Sequence, residues 1–198
     1  MTQQVEYDPV TALIVTDVQN DFASPDGSLY VATGEEVVPI VNGEIERAAE
    51  AGALVVYTQD WHPPSTPHFA KDGGVWPVHC VQGTWGAEFH PALVVQGEVV
   101  RKGAGGEDGY SGFSVRDPTS GEVGATALEG MLRKALIERL VVTGIATDYC
   151  VKETVLDARR LGFDVAVLRE AIRAVNLEPG DGDDALEEMR TSGAALIP

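Results

Sequence analysis

The stretch Leu140-Val141-Val142-Thr143-Gly144-Ile145-Ala146-Thr147-Asp148-Tyr149-Cys150-Val151 decides how this chain folds. Its first four residues are apolar or β-branched, which is typical of a buried strand. Beyond Cys150, apolar residues recur at helical spacing as far as Leu161, and charged residues take the opposite face. The pattern therefore predicts a strand, a tight turn and a helix, with Cys150 in the first turn of that helix.

Cys150 is a candidate nucleophile because of this position. The first turn of a helix carries unpaired N–H groups and a partial positive charge, which both favour a thiolate. A free cysteine has a pKa of about 8.5, and we expect this placement to lower it. The alternative is a small buried cysteine without a chemical role, which is common for lone cysteines.

The segments before this stretch predict a parallel sheet. Residues 11–16 form an apolar strand that ends at Asp17, residues 35–51 have the pattern of an amphipathic helix, and residues 53–58 form a second strand just before Asp60. Strand, helix and strand of these lengths make a right-handed βαβ unit. Asp17 therefore follows a strand at the edge where α/β proteins build their sites, although a helix cap or loop acid is the alternative reading.

The later segments continue the pattern. We expect a short strand over residues 97–102 ending at Lys102, a glycine-rich loop over 103–113, and a helix over 125–137. A strand over 163–168, a helix over about 182–191 and an edge strand over 194–197 complete the chain, which we expect to form one domain over residues 1–198. The glycine-rich loop matches no phosphate-binding motif.

Three of the four histidines occur close together in the sequence. Asp60-Trp61-His62 is followed by a proline-rich loop that contains His68 and then His79. Neutral imidazoles with one carboxylate suit a divalent transition metal, so these four residues are candidate ligands; clustered histidines on a polar loop are the alternative. His90, the fourth histidine, is predicted to be structural.

Composition restricts the choice of partners and compartment. The 198 residues carry 14 basic and 31 acidic side chains, and the formal net charge is −17. Nucleic acids and anionic membranes need positive patches and are therefore disfavoured as partners. No apolar run approaches the roughly 20 residues of a membrane span, and residues 1–6 do not resemble a signal peptide, so we expect a cytoplasmic protein. The sequence leaves homo-oligomer formation open.

Several motifs, in this order along the chain, resemble the isochorismatase-like cysteine hydrolases and, within that family, the nicotinamidases. No single motif is specific, but the whole set is. The matching segments are Thr16-Asp17-Val18-Gln19-Asn20-Asp21-Phe22, Asp60-Trp61-His62, His68-Phe69, Trp76-Pro77-Val78-His79-Cys80-Val81-Gln82-Gly83-Thr84, Lys102-Gly103, Tyr110-Ser111-Gly112-Phe113 and Gly144-Ile145-Ala146-Thr147-Asp148-Tyr149-Cys150-Val151. The glycine-rich lead into Tyr110 is longer than the family pattern.

The resemblance implies a fold and a set of roles. The fold is an α/β three-layer sandwich, a parallel sheet with helices on both faces, and the Ile145–Ala146 peptide is expected to be cis. The implied roles are a catalytic triad of Asp17, Lys102 and Cys150; an oxyanion hole formed by the N–H groups of Ala146 and Cys150; one divalent metal ion (zinc, iron or manganese) on Asp60, His62, His68 and His79; and a substrate pocket walled by Phe22, Trp76 and Tyr110.

The implied activity is metal-dependent hydrolysis of nicotinamide, a small-molecule substrate, to nicotinate and ammonia through a Cys150 thioester, as in NAD salvage. Pyrazinamide is a further candidate substrate. Isochorismatase or another amidohydrolase activity is the first rival, although such relatives generally lack the full set of metal ligands. A metallohydrolase that uses metal-activated water, and a non-catalytic metal or redox module built on Cys80 and Cys150, are rivals from other classes.

Overall fold

The computed structural model of the protein describes residues 5–198. Six parallel strands make up its main sheet. The strands of the chain are β1 (Thr11–Thr16), β2 (Leu54–Asp60), β3 (Glu98–Lys102), β4 (Ser114–Arg116), β5 (Val123–Ala125), β6 (Arg139–Ile145), β7 (Asp164–Arg173) and β8 (Ala195–Ile197). The main sheet has the order β3-β2-β1-β6-β7-β8, whereas β4 and β5 pair antiparallel in a separate hairpin. Residues 1–4, on which the signal-peptide expectation partly rests, lie outside the described range.

Helices cover both faces of the main sheet because the side chains of β1 alternate between two apolar cores. The helices are α1 (Asn20–Ala23), α2 (Val37–Glu50), α3 (Leu128–Lys134), α4 (Lys152–Arg160) and α5 (Asp181–Thr191). Leu13 and Val15 pack in one core with helix α2, whereas Ala12 and Ile14 pack in the other with helices α3, α4 and α5. The four apolar side chains of β1, residues 12–15, are fully buried between the helical layers, so the predicted three-layer sandwich is confirmed.

The strand order reverses at β1, and this reversal locates the site. The chain passes from β1 to β2 and β3 on one side and then returns to β6 on the other side. Ligands of open α/β sheets bind beyond the carboxyl ends of the strands at such a reversal. Asp17 follows β1, Lys102 ends β3, and the turn that contains Cys150 follows β6.

Gly144 allows the ends of β1 and β6 to approach each other closely. Its φ is +106°, and a Cβ atom there would lie 2.0 Å from the carbonyl oxygen of Thr16. Any side chain at this position would push the end of β6 away from β1. Glycine therefore keeps the turn after β6 next to Asp17.

The region before β6 differs from the prediction. The helix expected over residues 125–137 is wrong at its start, because Ala125 lies in β5 and α3 begins at Leu128. It also ends early, and Leu136 has a φ of +58°, which is incompatible with helix continuation. The β4–β5 hairpin was not predicted, since its strands are three residues long and all of β5 is exposed, so they carry no apolar alternation.

Candidate active site

Three buried side chains from separate strand ends meet at the carboxyl edge of the sheet. Lys102 Nζ lies 2.7 Å from Asp17 Oδ2 and 3.5 Å from Cys150 Sγ. We call Asp17, Lys102 and Cys150 the strand-end cluster. The exposed fraction of each residue is 7% or less, so their charges interact with little screening by solvent.

Lys102 is a fixed cation between two carboxylates. Besides Asp17, its Nζ contacts Asp60 Oδ1 at 2.5 Å, and it donates a hydrogen bond to the carbonyl oxygen of Gly109. Burial lowers the pKa of Lys102, but Asp17 and Asp60 outweigh burial and raise this pKa well above its usual value. For Asp60 the signs are reversed. Burial raises the pKa of this carboxyl group, but Lys102 and His62 outweigh burial and hold the pKa far below its usual value.

Asp17 has the properties of a proton acceptor for the thiol. Burial raises the pKa of its carboxyl group, and the attraction of Lys102 only partly opposes this. Thr58 Oγ1 donates a hydrogen bond of 2.7 Å to Asp17 Oδ1 and so fixes the orientation of the group. One oxygen of Asp17 lies within 4.8 Å of Cys150 Sγ. A carboxylate with raised proton affinity is therefore within reach of the sulfur.

The predicted lowering of the Cys150 pKa is wrong. Cys150 lies in a π-helical turn, Thr147–Val151, and α4 begins only at Lys152. Burial raises the pKa of the thiol well above its usual value; Lys102 lowers it, but Asp17 and Asp60 raise it further. The sequence pattern did not reveal how deeply the sulfur is buried. The resting group is a thiol, which needs a base to take its proton.

The backbone between β6 and Cys150 lines the candidate pocket. The Ile145–Ala146 peptide is cis, as expected. The carbonyl oxygen of Ala146 accepts hydrogen bonds from the N–H groups of Tyr149 and Val151, which hold the π-helical turn against the end of β6. Ala146 and Cys150, the two residues expected to form an oxyanion hole, both border the same pocket.

His62, His68 and His79 form a second buried group, which we call the histidine cluster. One nitrogen from each ring lies within 4.8 Å of the others. Asp60 faces the same point, because its Oδ2 atom lies 3.7 Å from His62 Nε2 and 3.8 Å from His79 Nε2. These separations are too long for hydrogen bonds but suit ligands that share one ion at about 2.0–2.2 Å. The structure thus brings together all four predicted ligands.

The chemistry of these residues fits a divalent cation. Both ring nitrogens of His62 are buried without a hydrogen-bond partner, which is unfavourable unless something else binds there. Burial lowers the pKa of His79 to about 4 and also lowers the pKa of His68, so both rings are in the neutral form that binds metals. His90 lies outside this group and accepts a hydrogen bond from the backbone of Ala92.

Gln19 connects the two clusters through the backbone. Its side-chain oxygen accepts a hydrogen bond from Asp60 N, and its amide nitrogen donates to the carbonyl oxygen of Asp60, both at 2.8 Å. Gln19 is fully buried and follows Asp17 by two residues. The end of β2 is therefore held in a fixed position beside the end of β1.

The pocket between the clusters is walled by aromatic side chains. Phe22, Trp76 and Tyr110, the three predicted wall residues, all border it together with Cys150. Trp76 Nε1 donates a hydrogen bond of 2.7 Å to the hydroxyl group of Tyr110. The sequence did not indicate the remaining apolar wall residues, which are Leu29, Tyr149 and Val175.

Asp148 places one of these unpredicted residues. Its two carboxylate oxygens accept hydrogen bonds from the backbone N–H groups of Val175 and Asn176, at 2.9 and 2.8 Å. Asp148 is buried and belongs to the turn that carries Cys150. An acid two residues before the candidate nucleophile was the available signal, although neither its burial nor its partner could be identified from the sequence.

Known proteins resemble this chain over nearly its full length. The isochorismatase domain family matches residues 11–198. The nicotinamidase of Escherichia coli K12 is 39% identical, over 95% of this chain and 94% of the relative. The zinc complex of the pyrazinamidase of Pyrococcus horikoshii is 41% identical with a TM-score of 0.84, covering 96% of this chain and 99% of its own. A protein of L. infantum in complex with nicotinate is 36% identical with a TM-score of 0.86, and the match covers 98% of this chain and 95% of the L. infantum chain. The chain belongs to the isochorismatase family.

Proposed function

We propose that this protein is a nicotinamidase, an amidohydrolase that converts nicotinamide to nicotinate and ammonia in NAD salvage. One observation carries the proposal: Cys150 borders the same aromatic pocket as Asp60, His68 and His79. A carboxamide at the sulfur and a ring nitrogen at the histidine cluster therefore fit one small flat molecule. The E. coli nicotinamidase and the nicotinate-bound L. infantum protein support this choice of substrate.

The strand-end cluster supplies the nucleophile. A carboxamide is a poor electrophile, so the thiol has to lose its proton before attack. Asp17 takes this proton, and Lys102, 3.5 Å from the sulfur, stabilises the thiolate that forms. Attack forms a C–S bond and a tetrahedral oxyanion, which we assign to the N–H groups of Ala146 and Cys150; one such donor typically contributes roughly 3–4 kcal/mol.

Asp17 then completes the reaction as an acid and a base. It returns its proton to the leaving nitrogen, the C–N bond breaks, and ammonia departs with formation of a Cys150 thioester. Asp17 next deprotonates a water molecule that attacks the thioester, which releases nicotinate and returns the proton to the sulfur. Lys102 keeps its proton throughout, because Asp17 and Asp60 raise its pKa well above the usual value.

We assign Asp60, His62, His68 and His79 as the residues that hold one divalent metal ion. The neutral imidazoles and the carboxylate suit zinc, iron or manganese, and the Pyrococcus horikoshii relative was solved with zinc. When bound, the ion supplies a Lewis acid for the substrate's ring nitrogen and so orients the carboxamide towards Cys150. Phe22, Trp76 and Tyr110 hold the flat ring between them.

The remaining assignments concern partners, compartment and organisation. Within residues 5–198, no helix combines the length and the apolar character that a bilayer crossing requires. We propose a cytoplasmic enzyme that binds neither nucleic acid nor membranes, on the basis of its charge of −17 and two unpaired thiols. We also propose that residues 1–198 form one domain. A direct mass measurement in solution determines whether the protein forms homo-oligomers.

Ammonia release from nicotinamide by the purified protein, together with total metal analysis, tests the proposal. We expect turnover with one divalent ion per chain and a thioester on Cys150 that can be trapped by rapid acid quench and mass spectrometry. Turnover without any trapped thioester, and with full activity after Cys150→Ala, would favour the metallohydrolase alternative. No ammonia release from the metal-loaded protein would contradict the assigned substrate.

A further inference from the structure

Asp108 contacts the histidine cluster from a part of the chain that lies outside the matching segments quoted in the sequence analysis. Its Oδ1 atom lies 2.6 Å from His68 Nδ1. Asp108 belongs to the glycine-rich segment that leads into Tyr110. The two partners are 40 positions apart, so this is a tertiary contact that the sequence did not indicate.

The contact decides which nitrogen of His68 is free to bind a metal. A carboxylate only accepts hydrogen bonds, so it selects the tautomer in which His68 Nδ1 carries the proton. The lone pair for a metal is then on Nε2. His79 has an equivalent arrangement, because its Nδ1 lies 2.7 Å from the carbonyl oxygen of Pro77. A carboxylate partner polarises the ring more strongly than a carbonyl group, which makes His68 the more basic ligand.

The backbone of Asp108 is fixed, so its carboxylate is not at a free loop tip. Its N–H donates to the carbonyl oxygen of Arg116, and its own carbonyl oxygen accepts from Arg116 N, at 2.7 and 2.9 Å. These two bonds tie Asp108 to strand β4. The side chain is therefore presented to His68 from an antiparallel bridge.

The loop before Asp108 lies directly on the residues that surround the histidine cluster. A Cβ atom at Gly103 would lie 2.5 Å from the ring of His62, so the loop backbone packs on this ring. Thr66 Oγ1 donates to the carbonyl oxygen of Gly106 at 2.5 Å, and Gln82 Nε2 donates to that of Ala104 at 2.9 Å. The loop ends at Gly109, whose carbonyl oxygen accepts the hydrogen bond from Lys102.

We propose that Asp108 is a positioning residue that orients His68 for the metal and couples metal binding to the order of the loop over residues 103–109. Asp108 does not border the pocket, so its effect on the reaction passes through His68 and through the Gly109 carbonyl. The inference rests on the metal site of the proposed function but not on the identity of the substrate.

The test measures zinc affinity of the apo protein by competition with a chelator, without any activity assay. We expect Asp108→Ala to weaken zinc binding about 10- to 100-fold, which is the usual effect of removing the partner of a metal-bound histidine. Asp108→Asn keeps the shape but loses the charge, and we expect an intermediate loss. Glu107→Gln is the matched control, because it removes the same charge from the neighbouring residue, whose carboxylate accepts only from Gly105 N. Its zinc affinity should stay within about threefold of the unaltered protein.

A second measurement separates metal coupling from simple folding. In the unaltered protein, zinc should slow hydrogen exchange of the amides in residues 103–109. In Asp108→Ala this zinc-dependent slowing should be lost. The two apo proteins should have the same melting temperature, which would exclude a general loss of stability. Equal zinc affinities for Asp108→Ala, Asp108→Asn and Glu107→Gln would overturn the proposal, as would loop exchange that does not respond to zinc. A wrong substrate assignment would leave these results unchanged and would appear only in ammonia release.

Discussion

The two clusters of the active site are built on different kinds of backbone. The strand-end cluster projects from β1, β3 and the turn after β6, whose strands belong to one sheet with continuous parallel pairing. The histidine cluster lies in the segment between β2 and β3, where the regular elements are two three-residue 3₁₀ turns, Ala70–Asp72 and Trp85–Ala87. This segment depends on isolated bridges, such as His62 with Val81 and Phe69 with Trp76.

The difference suggests a division of tasks. In the proposed mechanism the sheet fixes the atoms that make and break bonds, because a strand end cannot shift without loss of its ladder. The irregular segment contributes His68, Trp76 and His79 to the pocket, and a bound ion would add to its order. Lys102 belongs to the first cluster but also contacts Asp60 of the metal site, at 2.5 Å. Lys102 thus links the two clusters, whereas variants of other residues that break one cluster alone should leave the other measurable.

The largest effect is expected for Cys150→Ala. Loss of the nucleophile should lower kcat by at least about 10⁴-fold, the size typical of a missing triad nucleophile, while zinc affinity stays within about threefold. Cys80→Ala is the control, because Cys80 is the other buried free cysteine and its sulfur makes, among the described residues, a single hydrogen bond, 3.9 Å long, to the carbonyl oxygen of Gly86. Activity should survive in that variant. Comparable losses in both variants would mean that the thiol of Cys150 has no special role.

Lys102→Met probes the residue that the clusters share. We expect kcat to fall by about 10³-fold, because the thiolate loses its cation. The variant also leaves Asp17 and Asp60 buried with uncompensated charge, which typically destabilises a protein by about 3–5 kcal/mol. Because zinc would offset that charge, it should restore more stability to Lys102→Met than to the unaltered protein in urea titrations. An equal gain in both proteins would show that Lys102 and the metal site are energetically independent.

The strand-end residues were predictable because strands leave a clear pattern. Asp17 directly follows β1 and Lys102 is the last residue of β3, and parallel strands end at one edge of a sheet, so their proximity follows from topology. The candidate metal ligands were predictable from residue type, since the set Asp60, His62, His68 and His79 combines one carboxylate with three imidazoles even without knowledge of the loop path. What the pattern could not reveal is depth, and the buried Cys150 therefore has a raised pKa where a lowered one was expected.

Contacts between distant segments were the other feature that the sequence did not reveal. Asp108 with His68 and Asp148 with Val175 join residues 40 and 27 positions apart, and neither pair has a spacing rule. The β4–β5 hairpin was missed for a similar reason, because exposed three-residue strands leave no periodic signal. The sequence thus predicted the layers and the clusters but not the contacts that hold the irregular segments in place.

Removal of the metal tests the division of tasks directly. Without the ion, we expect kcat/KM for nicotinamide to fall about 100-fold or more, because the ring loses its anchor. An alkylating agent should still modify Cys150 at a rate within about tenfold of the metal-loaded protein, or roughly 1.4 kcal/mol in barrier. Benzamide has the carboxamide but no ring nitrogen, so its slow turnover should respond little to metal. If benzamide gained as much as nicotinamide, the ion would act on the carbonyl group or on water instead.

The smallest effect is expected at the pocket wall, where Trp76→Phe keeps the aromatic ring but removes the N–H group. That group donates to the Tyr110 hydroxyl at 2.7 Å and so joins the segment between β2 and β3 to the residue that follows the loop over residues 103–109. One such hydrogen bond contributes about 0.5–1.5 kcal/mol, so KM for nicotinamide should rise roughly twofold to tenfold. The value of kcat should hardly change, because Trp76 does not contact the strand-end cluster through any of the described hydrogen bonds.

Trp85→Phe makes the same chemical change at a half-exposed tryptophan outside the pocket and should leave both constants unaltered. A fall in kcat for Trp76→Phe, with KM unchanged, would show that the wall positions the nucleophile as well as the ring, and the two clusters would then have to be treated as one unit.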